Sequence, residues 1–178
     1  MIVSNTSPII NLACIGRLEL LPALFGEIII PDAVFHEIAV ADPNAPGASD
    51  VRTAPWVRRY AVVNRPLVAS LRLELDPGEA EAIACVVEAN AKLLLIDERR
   101  GRLVALRLGL ATTGLMGLLL LARKKGLIES IRPLLDDLRR VAGFWIGDAL
   151  YARVLAMLGN SQQCSIQDRF HRGRLAPG

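Results

Sequence analysis

The chain has 178 residues, a formal charge of +3, and 52% hydrophobic residues with only 4% aromatic, a length and composition that suit one domain with a substantial apolar core. Its longest apolar stretch, Leu115 to Ala122, is too short to cross a bilayer, and Cys14, Cys85 and Cys164 have neither disulfide-framework nor zinc-site spacing. A pI of about 9.0 admits nucleic acid without demonstrating it, and a mean hydropathy of +0.37 leaves apolar surface for a second copy, so a homo-oligomer in the reducing cytoplasm, away from membranes, is expected.

Ile2 and Val3 predict a short buried strand. Ser7-Pro8 predicts a helix cap followed by a first-turn proline, which leaves Asn5 at the strand's carboxyl end. Ile9, Ile10, Leu12, Ala13 and Ile15 form a helical stripe that stops near Gly16, and Leu18, Leu20, Leu21 and Leu24 form another that stops at Gly26. Glu27 to Ile30 reads as a β-branched strand, after which Pro31-Asp32 opens a helix carrying Val34, Phe35, Glu37 and Ile38. The Pro-, Gly- and Ala-rich segment from Ala41 to Ser49 predicts a mobile loop.

A strand over Tyr60 to Val63, a short helix over Leu67 to Leu73 and a long helix from Pro77-Gly78 through Ala89 follow. Leu93 to Ile96 is the clearest strand, because four apolar residues end abruptly at Asp97, as a strand buried on both faces would. Next come a helix through Arg107, a short strand around Leu110 to Thr113 and a helix from Leu115 to Lys125. This alternation predicts an α/β fold with a parallel sheet over residues 1–126. Ile128 to Val141 and Asp148 to Leu158 predict a helical hairpin joined near Gly143 to Gly147, an appendage over 127–158 of the same domain. From 159 to 178 the sequence turns polar and reads as a flexible tail.

Asn5, Glu37, Glu79 and Asp97 each fall at a strand end or early in a helix, the edge where an open α/β sheet builds its sites. Carboxylates gathered in one crevice repel, and a hard cation such as Mg²⁺ or Mn²⁺ with oxygen ligands relieves that repulsion. Such a centre binds phosphate esters and activates water. Each residue also has a plainer explanation: Asp97 as a helix cap, Glu37 as a solvated helix acid, Glu79 as a first-turn acid favouring the helix dipole. Glu81, Glu88 and Glu98 are expected to face solvent, with Glu98 placed to assist Asp97. Arg99, Arg100 and Arg102 would hold a nucleic-acid backbone beside the pocket or simply form a solvated helix face. His36 and His171 have no third ligand at useful spacing, so zinc is not expected.

Four ordered stretches, Ile2 to Pro8, Ile29 to Ile38, Asp76 to Ala84 and Leu94 to Arg102, together resemble the PIN-domain proteins, metal-dependent ribonucleases that include many toxins of toxin-antitoxin pairs. The resemblance implies a three-layer α/β/α fold around a central parallel sheet, one or two divalent cations, RNA as substrate and an antitoxin-like protein as partner. It aligns Glu37, Glu79 and Asp97 with acidic positions, with Glu81 an alternative to Glu79, and places Thr6 and Ser7 at small hydroxyl positions that help hold a ligand or water. Asn5 departs from it, since the family ordinarily has Asp there. Loss of that charge implies a rate lower by on the order of 10² to 10⁴. A non-catalytic RNA-binding or partner-binding module of the same fold is the alternative. A phosphotransferase of the haloacid-dehalogenase type would need Asp at both positions now occupied by Asn5 and Ser7.

Overall fold

The computed structural model describes residues 1–156, and the polar tail expected from position 159 lies outside them. Five parallel strands, β1 (Ile2–Ser4), β2 (Ile28–Pro31), β3 (Val57–Tyr60), β4 (Leu93–Leu95) and β5 (Thr112–Thr113), form one sheet in the order β3-β2-β1-β4-β5. The three inner strands are almost wholly apolar, buried Ser4 apart, because helices cover both of their faces. Val3, Ile29 and Leu94 share one core with Ile83, Cys85 and Val86 of α6 (Pro77–Glu88) and with Val104 and Ala105 of α7 (Arg99–Arg107). Ile28, Ile30 and Leu95 alternate with these residues along the strands and are also fully buried. The fold is a three-layer α/β/α sandwich around this sheet.

The order of the strands positions everything that follows. From β1 the chain moves outward through β2 and β3, then returns to place β4 on the other side of β1, with Val3 opposite both Ile29 and Leu94. The carboxyl ends of β1 and β4 therefore border a topological switch point, where connections leave in opposite directions and a crevice opens.

Several boundaries differ from the sequence expectation. The third strand is Val57–Tyr60, three residues earlier than Tyr60 to Val63, and pairs Ile28 with Val57 through Pro31 with Tyr60. As an edge strand it keeps exposed arginines: Arg59 bonds Asp32 at 2.8 Å and stacks 3.8 Å over the Phe35 ring. The expected loop over Ala41 to Ser49 ends in a helix, α4 (Ala48–Thr53), pinned by buried Ala48 and Val51. The first helix, α1 (Thr6–Cys14), starts directly after Asn5 rather than after Ser7.

Residues Met1–Glu129 form one compact unit and a second begins at Ser130. Within the second, α9 (Arg132–Arg140) begins later than the expected Ile128, and a further helix covers 148–156. Arg139 ties the two together, bonding Asp148 at 3.0 Å and lying 4.4 Å over the Tyr151 ring, while the Tyr151 hydroxyl donates to Asp136 at 2.7 Å. Among the described residues no helix is long and apolar enough to cross a membrane.

Leu94 is fully buried at the centre of the sheet between β1 and β5. Leu94→Ala should lower the unfolding free energy by about 2–5 kcal/mol through lost transfer energy and an unfilled cavity. Chemical denaturation checks this, and a loss below about 1 kcal/mol would contradict the packing described.

Candidate functional site

Asn5 follows β1, Asp97 and Glu98 follow β4, Glu37 lies in α3 (Asp32–Ala39) after β2, and Glu79 lies in the first turn of α6. The topology thus brings four of the sequence-derived positions to the carboxyl edge around the switch point. Asn5 is only 3% exposed and its backbone amide donates to Leu95 O at 2.9 Å, so β1 and β4 remain tied as they enter the site. It occupies the N-cap of α1 with extended backbone, yet its side chain does not cap that helix. An ordinary Asn cap stabilises a helix by about 1 kcal/mol, and that contribution is forgone here.

The Asn5 side chain bonds Glu98 instead. Asn5 Nδ2 donates to Glu98 Oε2 at 3.3 Å, and Ser7 Oγ donates to Glu98 Oε1, so both carboxylate oxygens are held by residues at the start of α1. This corrects the expectation that Glu98 faces solvent. Thr6 Oγ1 in turn donates to Glu37 Oε2. The two hydroxyls expected to meet a ligand or water thus orient two carboxylates.

Glu79, rather than Glu81, belongs to the crevice. Glu81 accepts from the Ala33 amide at 2.9 Å and from Arg65 at 3.1 Å, which commits it to the N-terminus of α3. Glu79 is 4% exposed and shares a capping box with Asp76: its backbone amide donates to Asp76 Oδ1 at 3.0 Å while its Oε2 accepts from the Asp76 amide at 3.4 Å. The box fixes one oxygen and leaves Oε1 unpartnered.

Glycines make room for the acids. A Cβ on Gly78 would sit 2.5 Å from Glu37 Oε2, one on Gly101 would sit 2.6 Å from Glu79 Oε1 and press into Ile96, and one on Gly114 would sit 2.5 Å from Asp97 Oδ1. Three carboxylates therefore rest against backbone that has no side chain. Asp97 does cap a helix, but the distant α8 (Leu115–Lys124) and not the adjacent α7, for its Oδ1 accepts from the Leu115 amide at 2.7 Å.

Burial raises the pKa of each of these acids. Desolvation pushes Asp97 from its ordinary 3.8 up to about 6, against the Leu115 amide that favours the anion. Desolvation likewise raises Glu37 and Glu79, reinforced in both by the charges of Asp76 and Glu98. Glu98 acts on Glu37, Glu79 and Asp97 alike, and is the common electrostatic neighbour of the group.

Among the described residues, the buried side-chain oxygens and nitrogens that lack any hydrogen-bond partner are Asn5 Oδ1, Glu79 Oε1 and Asp97 Oδ2. All three belong to the crevice. An orphaned buried acceptor costs roughly 1–3 kcal/mol, and three hard oxygen donors are the ligand chemistry of Mg²⁺ or Mn²⁺. The residues fit such an ion in donor type. No three His, Cys, Asp or Glu side chains among the described residues stand close enough to hold one by themselves. The orphaned set contains two carboxylates and one carboxamide, and the acids of the group repel one another in the absence of a cation.

Arg99, Arg100 and Arg102 are exposed at the start of α7 and, among the described residues, form no ion pair. Arg102 lies nearest the acids, close enough for its charge to favour the Asp97 anion. Sequence reasoning gave Glu98 only an assisting place beside Asp97 and gave the three glycines no part in the site. A signal was present for Glu98, as an acidic pair directly after the buried strand, and for Gly78 and Gly101, each close to acids in the chain, but Gly114 meets Asp97 only through the fold.

A family model for the PIN domain, DUF3368, matches residues 1–160, nearly the whole chain. No curated protein matches the sequence.

With a chelator present, stability should depend on pH through these acids. Below about pH 4 Asp97 is protonated whether the chain is folded or not; from there to about pH 6 only the folded chain retains the proton. The stabilising contribution is thus complete at low pH and disappears as pH rises through about 6. Denaturation across this window should show a fall of roughly 1–3 kcal/mol that Asp97→Asn flattens; an equal slope in the variant would contradict the burial of this carboxyl.

Proposed function

The chain belongs to the PIN-domain family, and from that membership we propose that it is a divalent-metal-dependent ribonuclease, a hydrolase of RNA phosphodiester bonds. PIN domains generally use divalent metals. The observation that carries the reading is the set of unpartnered oxygens, Asn5 Oδ1, Glu79 Oε1 and Asp97 Oδ2, at the switch point of the sheet.

In this reading Asp97 and Glu79 offer the orphaned oxygens to Mg²⁺ or Mn²⁺, with Asn5 contributing its carbonyl. The ion supplies Lewis-acid polarisation of a phosphoryl oxygen and a water of lowered pKa. The protein's part is to hold these donors still: the Leu115 amide fixes Asp97, the Asp76 capping box fixes Glu79, and Thr6 fixes Glu37. Preorganised donors are not reorganised during reaction, which is where their catalytic value lies. Glu37 is placed to accept a proton, and burial keeps its basicity above that of an ordinary carboxylate. Arg99, Arg100 and Arg102 supply cations for the backbone phosphates on either side of the bond to be cleaved.

Exposed Leu103 and Leu106 of α7 and Leu108 beyond it offer apolar surface next to this basic face. They support a regulatory protein, an antitoxin-like partner, or a second copy as occupants of that side of the molecule. A second reading, a catalytically silent RNA-binding or partner-binding module, is favoured by the neutral Asn5 and by the absence, among the described residues, of a three-acid cluster tight enough to hold an ion alone.

Cleavage of single-stranded RNA by the full chain with Mn²⁺, and its suppression by a chelator, tests the first reading. Glu79→Gln and Asp97→Asn should each lower the rate on the order of 10²- to 10⁴-fold without loss of helical circular dichroism. Cleavage undiminished in both variants would remove the reaction from this crevice. Wild-type protein that binds RNA but neither Mn²⁺ nor Mg²⁺ would establish the silent module.

A further inference from the structure

Position 5 is the neutral member of an acidic group, and the sequence by itself casts it as a lost charge. The hydrogen bonds give it a different part. Asn5 Nδ2 and Ser7 Oγ donate to the two oxygens of Glu98, an arrangement that fits an ionised carboxylate with a donor on each side. We propose that Glu98 supplies the negative charge position 5 lacks, and that Asn5 is its positioning residue, so that the pair Asn5–Glu98 is one working corner of the cation site. This rests on the metal-dependent reading above.

Glu37, Glu79, Asp97 and Glu98 already place four carboxylates around the crevice. An Asp at position 5 would bring a fifth, its oxygen in place of the Nδ2 that now stands 3.3 Å from Glu98 Oε2. Two carboxylates at that separation cannot both remain ionised without a cation, so one would protonate or swing away. The carboxamide avoids this conflict. It places a donor against Glu98 and leaves Oδ1 buried and unpartnered, so the residue both orients a charge and keeps an oxygen for an ion.

Glu98 also occupies a suitable place in the chain. It is the N-cap of α7 with extended backbone, and its carbonyl accepts from the Arg102 amide at 3.0 Å, yet its side chain makes no cap hydrogen bond to that helix. The side chain spans from the end of β4 to the start of α1, across the switch point. Its neighbour Asp97 leans toward α8 through the Leu115 amide. Two consecutive acids thus leave β4 toward different helices, and the crevice lies among their attachments.

The decisive experiment is a double-mutant cycle on the full chain, Asn5→Asp, Glu98→Gln and both together, read by Mn²⁺ titration calorimetry and by thermal unfolding in chelator. Glu98→Gln should weaken Mn²⁺ binding roughly 10- to 100-fold. Asn5→Asp alone should lower the melting temperature in chelator and leave Mn²⁺ binding no tighter than in the wild type. The double variant, with donor and charge exchanged between the two positions, should recover both properties. Tighter Mn²⁺ binding by Asn5→Asp alongside unchanged binding by Glu98→Gln would overturn the assignment and restore position 5 as a lost ligand. An unaltered melting temperature in Asn5→Asp would overturn the pairing itself. Wild-type protein that binds no Mn²⁺ would instead sink the metal-dependent reading and, with it, the charge given to Glu98.

Discussion

Like charge gathered at one edge of a parallel sheet is the constraint to which the surrounding structure answers. Burial raises the proton affinity of Glu37, Glu79 and Asp97 at the β1–β4 switch point, and the charge of Glu98 raises it further in all three. Each is met by a local device. Asp97 takes the amide at the start of α8, Glu79 closes a capping box with Asp76, Glu37 takes the Thr6 hydroxyl, and Glu98 takes donors from Asn5 and Ser7. Gly78, Gly101 and Gly114 give up side chains so that the carboxylates can approach backbone.

These devices hold both oxygens of Glu98 but leave other oxygens of the group unmet. One oxygen each of Asn5, Glu79 and Asp97 remains buried and unpartnered, at a cost of roughly 1–3 kcal/mol apiece. Folded proteins rarely concentrate such costs in one place, and where they do a ligand commonly settles them. A hard divalent cation would reverse every unfavourable term together, because it attracts the carboxylates that repel one another and fills the vacant acceptor positions. Stability in the absence of an ion and affinity for one are thereby linked through the same atoms.

The elements read most easily from the sequence were those whose signals are local. The strand before Asp97 announced itself by four apolar residues and a sudden acid, and α6 by Pro77-Gly78 followed by Glu79. β3 was misplaced because an edge strand tolerates exposed Arg58 and Arg59 while the apolar residues beyond Tyr60 look more strand-like. α4 was hidden behind Pro43 and Pro46, since the segment that precedes it does break regular structure. Glu79 and Glu81 could not be separated by spacing alone. Their partners in space, the crevice for one and the Ala33 amide with Arg65 for the other, decide between them.

By itself the sequence determined the alternation of strand and helix and the sheet edge that carries the acids, because hydrophobic period and turn residues are properties of short segments, and it offered Glu37 and Asp97 for that edge while leaving Glu79 and Glu81 as alternatives. Only the tertiary structure decided what Asn5 does. Residues 5 and 98 are separated by most of the fold in sequence, and the hydrogen bond between them exists because the crossover from β3 returns β4 to the far side of β1. Pairing across a topological switch leaves no periodic trace in the chain, so a neutral residue that looks like a missing charge can be read as a donor to one only after the strands are in place.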